Sequence, residues 1–184
     1  MSLTVSHGLH SPEPLPLAKV ALDRLGAVVL LLLAAPWMAV LAVVLWSHDD
    51  GPVLCREARL GQWGRPFHLL RFRTTGWGAT PGRVGALLQR ACLDELPQLI
   101  NVLRGEMSLV GPRPGVPGTT RPPTAPPAGS ALRPGLTGLG AFRQEHADED
   151  ASAVAERYLR EWSLRLDLVI LGRALVRAVR GPVA

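Results

Sequence analysis

The stretch LGAVVLLLLAAPWMAVLAVVLW, Leu25 to Trp46, contains no charged residue. Roughly 20 apolar residues in helical form match the hydrocarbon core of a bilayer, so this segment dictates a membrane-facing helix. It is too long for the core of a signal peptide, and no clear cleavage site follows it. Lys19 and Arg24 precede it; Arg56 and Arg59 come after it, beyond Asp49 and Asp50. With basic residues on both sides, the positive-inside rule assigns no orientation. Pro36 lies in mid-segment, where its ring removes one helical hydrogen bond and crowds the preceding turn. Two readings follow from the pattern alone: a spanning helix kinked at Pro36, or a helix–break–helix that enters and leaves on one face.

The remainder fits a single domain. Its net charge of +5 favours anionic partners such as phosphates, nucleic acid or lipid headgroups. Lys19 is the only lysine, so arginine carries almost all the positive charge. Arginine presents a planar fork suited to phosphate oxygens, although a GC-rich genome would give the same bias. Two cysteines, Cys55 and Cys92, make neither a disulfide framework nor a zinc spacing, which fits a reducing, cytosol-facing location.

Residues 1–17 are polar and proline-rich and are expected to be disordered. Gly51-Pro52 opens a strand pair, Val53 to Arg59 and Pro66 to Arg73, around the turn Gly61 to Gly64. Arg71 and Arg73 flank Phe72 and so share one strand face. A short helix is expected over Arg83 to Gln89. Leu96, Leu99, Ile100 and Leu103 recur at helical spacing, and Gly105 ends that helix. Pro97 is tolerated only in a first turn, which places Asp94 and Glu95 at the helix start, among unpaired backbone N–H groups. Residues 112–134 read as a proline-rich loop, RPGLTG (Arg133 to Gly138) as a compact turn and EHADED as a solvated acidic loop. Ser163 is placed to cap a helix over Leu164 to Arg180. Leu168, Leu171, Leu175 and Val179 line one of its faces, and Arg173, Arg177 and Arg180 another. Such a helix either lies on an anionic membrane surface or packs with a solvated basic face.

An acid pair with arginines at 71, 73, 113 and 133 suits transfer of a phosphate-bearing group. Magnesium commonly uses one or two carboxylates plus substrate phosphates, which these residues could provide. No Walker-type loop and no Gly-X-Ser-X-Gly elbow is present. The arginines are scattered and no recognition motif accompanies them, so nucleic acid is not the expected partner.

LDELPQLINVLRGEMSLVGPRP, Leu93 to Pro114, resembles the signature of the bacterial sugar transferases, the small monotopic polyprenyl-phosphate phosphoglycosyl transferases. The resemblance extends to GPVLCREARLGQWGRPFHLLRFRTT, RPGLTG and YLREWSLRLDLVIL, in the right order. It implies an α+β, mainly helical protein. Residues 18–48 would form a re-entrant helix–break–helix anchor and residues 49–184 a cytosolic catalytic domain with a short strand pair and interfacial amphipathic helices. It further implies transfer of a sugar 1-phosphate from a UDP-sugar to polyprenyl (undecaprenyl) phosphate, at the cytosolic face of the inner membrane, with release of UMP. By the same resemblance Asp94 is the nucleophile, Glu95 completes the dyad, and both are candidate ligands for Mg²⁺. Arg71, Arg73, Pro112, Arg113, Pro114, Arg133 and Thr137 are candidate substrate-binding residues. The alternative is a degenerate membrane-anchored relative with a binding or scaffolding role, suggested by Gln89 standing where the family commonly has arginine.

Overall fold

The computed structural model describes residues 16–48, 51–74, 83–118, 132–138 and 151–180. The expected disordered N-terminus, apart from its last two residues, the central part of the proline-rich loop and the acidic run EHADED lie outside these residues. Helix α1 (Leu17–His48) is followed by strands β1 (Leu54–Leu60) and β2 (Pro66–Phe72) and helix α2 (Arg83–Arg90). A 3-10 turn over Leu93–Glu95 leads to α3 (Gln98–Arg104), β3 (Ser108–Val110), β4 (Gly135–Thr137), α4 (Ala151–Glu161) and α5 (Leu164–Arg180). The fold is α+β and mainly helical, as expected.

Several elements depart from expectation. Helix α1 runs unbroken through Pro36, so the break expected there is absent. One missing backbone bond is a local loss that the flanking turns of so long a helix can carry. Within RPGLTG, read as a turn, Gly135–Thr137 form strand β4, which pairs in parallel with β3, Ser108 with Gly135 and Val110 with Thr137. Helix α3 starts at Gln98, with Pro97 as its cap, so Asp94 and Glu95 lie in the separate turn ahead of it. Helix α4 was not expected at all. The hairpin β1–β2 is as expected and antiparallel, with Cys55 opposite Arg71 and Glu57 opposite Leu69. Gly105 ends α3 in the left-handed conformation (φ 78°), which costs a glycine little.

One side of α1 faces the domain along most of its length. Lys19, Asp23, Ala27 and Leu45 are buried along it, with Leu31, Met38, Leu41 and Ala42 partly so. Ala27 and Leu31 join a core with Phe67, Leu69, Leu99, Val102, Met107, Leu109, Val110, Tyr158 and Ile170. Leu45, Met38 and Leu41 join a second cluster with Phe72, Leu88, Leu93 and Leu96. Both ends of α1 therefore rest on the same body. Its opposite side exposes Leu25, Val29, Leu32, Leu33, Trp37, Val40, Val43 and Trp46, an apolar surface that water would not favour.

Lys19 is buried, which no local pattern foretells. Its ammonium lies 2.8 Å from Asp167 Oδ2 and 3.2 Å from Asp23 Oδ1, and it donates to the Val110 carbonyl at 3.2 Å. The Tyr158 hydroxyl meets Asp167 Oδ1 at 2.7 Å and the Val110 carbonyl at 3.1 Å. Asp23 Oδ1 also accepts the Leu109 N–H at 3.1 Å. Burial, then the bond to Asp167, raises the Tyr158 pKa far above its ordinary value, so the phenol stays protonated. This network ties α1 to β3, α4 and α5. Buried charges are costly unless paired and hydrogen-bonded, and here most are.

Candidate active site

Asp94 is buried at the turn between α2 and α3. The chain enters that turn through Cys92, a non-glycine residue at φ 54°, a conformation that carries strain of order 1 kcal/mol. Leu93 and Leu96, on either side of the acid pair, pack beneath it in the second cluster with Phe72 and Leu88. The turn is thus nailed to β2, the strand that carries Arg71. Arg71 donates from one terminal nitrogen to Asp94 Oδ2 at 2.6 Å and to Glu95 Oε1 at 3.1 Å. Its other terminal nitrogen lies 3.9 Å from Glu57 Oε1. Glu57 in turn pairs with Arg59 at 2.5 Å.

The acid pair was expected to sit among free helix N–H groups. Its partner is instead a guanidinium, because α3 begins too late to offer those groups. Burial opposes the charge on Arg71, but Asp94, Glu95 and Glu57 outweigh it and raise its pKa. Burial raises the Glu95 pKa above its ordinary value, with Arg71 opposing and Asp94 adding to the rise. Burial and Glu57 raise the Cys55 thiol. Glu57 is a third carboxylate at this guanidinium that the sequence did not single out. Its alternation with Cys55 and Arg59 on β1, opposite β2, was the signal that could have found it.

The Arg113 turn is built from backbone. Gly111 N–H donates to the Thr137 carbonyl at 2.9 Å, and Gly135 N–H to the Pro112 carbonyl at 2.8 Å. Leu60 and Gly115 exchange two further bonds at 2.8 and 3.2 Å, tying the turn to the end of β1. A Cβ on Gly135 would lie 2.0 Å from Gly111 N, so the two strands approach this closely only through glycine. Thr137, expected to bind substrate, here supplies the carbonyl that holds Gly111. Pro112 is buried and Pro114 half-buried, while Arg113 is exposed, and its charge favours the ionised form of Glu95. The structure thus sets Arg113 near the acid pair and Arg71 in contact with it.

The other candidates lie elsewhere. The Arg73 guanidinium folds over Gly51, where a Cβ would collide with it. Arg133 lies against Gly105 at the far end of α3, with Asp23 and Arg24 as its charged neighbours. Burial lowers the Arg133 pKa, and its Nε is buried with no hydrogen-bond partner. Gln89 donates to the Thr74 hydroxyl at 2.7 Å.

Among the described residues no cluster of three or more histidine, cysteine or acidic side chains could enclose a metal ion. Two adjacent carboxylates, Asp94 buried and Glu95 partly exposed, fit the other mode of magnesium binding, in which substrate phosphates supply the remaining oxygens.

The model of one protein family, described as bacterial sugar transferase, matches residues 15–181. The chain belongs to the bacterial sugar transferase family. It is 38% identical over 192 aligned positions to a UDP-glucose:undecaprenyl-phosphate glucose-1-phosphate transferase of Caulobacter vibrioides, covering 88% of this chain and 72% of that protein. It is 36% identical over 190 positions to the exopolysaccharide production protein ExoY of Rhizobium meliloti, covering 86% and 84%. An undecaprenyl-phosphate glucose phosphotransferase of Komagataeibacter xylinus is 33% identical over 213 positions, but this sugar transferase spans only 39% of its length.

Proposed function

We propose that this family member transfers a sugar 1-phosphate from a UDP-sugar to a polyprenyl phosphate such as undecaprenyl phosphate. The single observation that carries this reading is the buried Asp94 carboxylate gripped through Oδ2 by Arg71 at 2.6 Å, beside Glu95. A carboxylate held by one oxygen presents the other as a fixed nucleophile. Asp94 attacks the phosphorus that bears the sugar. The bond to the bridging diphosphate oxygen breaks and UMP departs with those electrons. The lipid phosphate then attacks the same phosphorus, a polyprenyl-diphosphate sugar forms, and the Asp94 carboxylate is restored. Arg71 and Arg113 offset charge on the phosphates. Mg²⁺, held by Asp94 and Glu95 together with the donor's diphosphate, would supply further charge neutralisation when bound. The names of the relatives support the donor and acceptor classes, since they speak of UDP-glucose and undecaprenyl phosphate.

One substrate is a lipid and the other is water-soluble, so the reacting phosphorus belongs at headgroup depth. In this reading α1 is set into the cytosolic leaflet of the inner membrane without crossing it. A helix of this length is about 48 Å long, while a hydrocarbon core is about 30 Å thick. If α1 stood across the bilayer, the domain that touches both its ends would have to follow it through the lipid.

The test is incubation of membranes bearing the protein with a panel of labelled UDP-sugars and undecaprenyl phosphate, with and without Mg²⁺. Native protein should release UMP, and Asp94→Asn should release none above background. Equal release from both would remove Asp94 from the nucleophile's role. For topology, cysteines placed at both ends of α1 should react with an impermeant reagent from the cytosolic side only.

A further inference from the structure

Asn101 is fully buried in the middle of α3, in a position where a polar side chain is costly unless satisfied. Its Oδ1 accepts the Leu70 N–H at 3.0 Å, and its Nδ2 donates to the His68 carbonyl at 2.8 Å. Those two groups face outward from the edge of β2 that β1 leaves uncovered. A residue on a neighbouring strand would bind them in the same way, so one side-chain amide replaces a third strand. The amide's second hydrogen goes to Glu106 Oε2 at 2.6 Å. The Asn101 carbonyl also accepts the N–H of Glu106 at 3.0 Å and of Met107 at 3.3 Å, closing the end of α3.

Leu70 directly precedes Arg71, and α3 directly follows the turn that carries Asp94. We propose that Asn101 is a positioning residue, whose side chain fixes the edge of β2 against α3 and so holds the Arg71 guanidinium in register with the Asp94 carboxylate. It touches no reacting atom and acts through Arg71. This inference rests on the transferase reading for its effect on turnover, but not for its effect on β2. The donor-facing Arg113 turn is anchored separately, by Thr137, Gly135 and Leu60, and so does not depend on Asn101. The loss should therefore fall mainly on the chemical step, while Arg113 keeps most of the donor binding.

The experiment uses the full chain in detergent or lipid nanodiscs. Asn101→Asp keeps the size and the acceptor for Leu70 but turns a carboxylate toward the His68 carbonyl and the Glu106 carboxylate. Asn101→Asp with Glu106→Gln relieves that repulsion and restores folding, yet leaves His68 without its donor. Loss of the His68 bond frees the edge of β2 to lift away from α3 even though an acceptor for Leu70 remains, so in both variants the Leu70 amide should exchange its hydrogen faster than in native protein. Both should show kcat for UMP release lowered about 10- to 100-fold, the scale of a misplaced catalytic group, with KM for the UDP-sugar within about twofold. If the double variant regains kcat together with its melting temperature, the side chain serves stability alone and the proposal is overturned. Unchanged exchange at Leu70 overturns it too. If native protein releases no UMP from any UDP-sugar, the transferase reading fails, and the exchange measurement still decides the tether.

Discussion

Arg71 faces three carboxylates, and the buried Asp94 depends on it most. Removing one partner of a buried ion pair leaves the other charge uncompensated, at a cost of about 3 kcal/mol or more. Arg71→Ala should therefore lower stability by about that amount, measured by chemical denaturation in detergent, as well as abolish UMP release. Arg71→Lys should keep most of the stability and lose most of the activity, because a point charge cannot reproduce the fork. Glu95 gives a pH prediction. Its pKa is raised by burial, so on acidification it takes up a proton before an exposed glutamate would. If the ionised form serves the reaction, the acid limb of the rate profile lies at higher pH than an ordinary glutamate gives, and Glu95→Gln removes that limb. The same shift has a stability sign. Its contribution favours the folded state at low pH and is lost as pH rises through the folded pKa.

The interlock between α1 and α5 is the second place where charge decides stability. Lys19→Met leaves Asp23 and Asp167 buried near one another without their cation. A loss of about 3 to 5 kcal/mol is expected, read as a lowered midpoint in thermal unfolding. Asp167→Asn should cost less, since an amide can still bond to Tyr158. Elements of this kind mark the limit of sequence reading. The hairpin, the stop at Gly105, the Ser163 cap on α5 (bonded to Leu166 N–H at 3.2 Å) and the span of α5 were legible, because each is written in neighbouring residues. The pairing of Lys19 with Asp167, of Asn101 with the edge of β2, and of RPGLTG with β3 was not, because each joins distant segments and leaves no local period. Asp94 and Arg71 could be named, but not their contact. Pro36 misled for the opposite reason: a local rule was outweighed by a long helix packed along one side.

At the scale of the molecule, two apolar helix faces look outward among the described residues. On α1 Trp37 is 69% exposed and Trp46 73%, and on α5 the leucines Leu168 and Leu175 are exposed beside Arg165 and Arg173. The side of α5 turned to the core carries Asp167 and Ile170, with Leu166 and Leu171 packed against it, so of the stripe read from the sequence Leu171 joins the core while Leu168 and Leu175 face outward. Tryptophan fluorescence tests this arrangement. Acyl chains brominated near the headgroup should quench the native protein, and Trp37→Phe with Trp46→Phe should lose most of that quenching. Quenching by chains brominated only near the bilayer midplane should be weaker if α1 stays in one leaflet.

The network around Lys19 also sets a timetable. In the proposed membrane-seated arrangement α1 meets the lipid while the ribosome is still making the rest of the domain, with Lys19 and Asp23 on its inner side. The carboxylate that completes their neutralisation belongs to α5, which emerges after both strand pairs and the acid pair. Until then the nascent anchor holds an unfinished ion cluster, and a chain cut short before α5 would leave its membrane helix loosely seated however well the acid pair had formed.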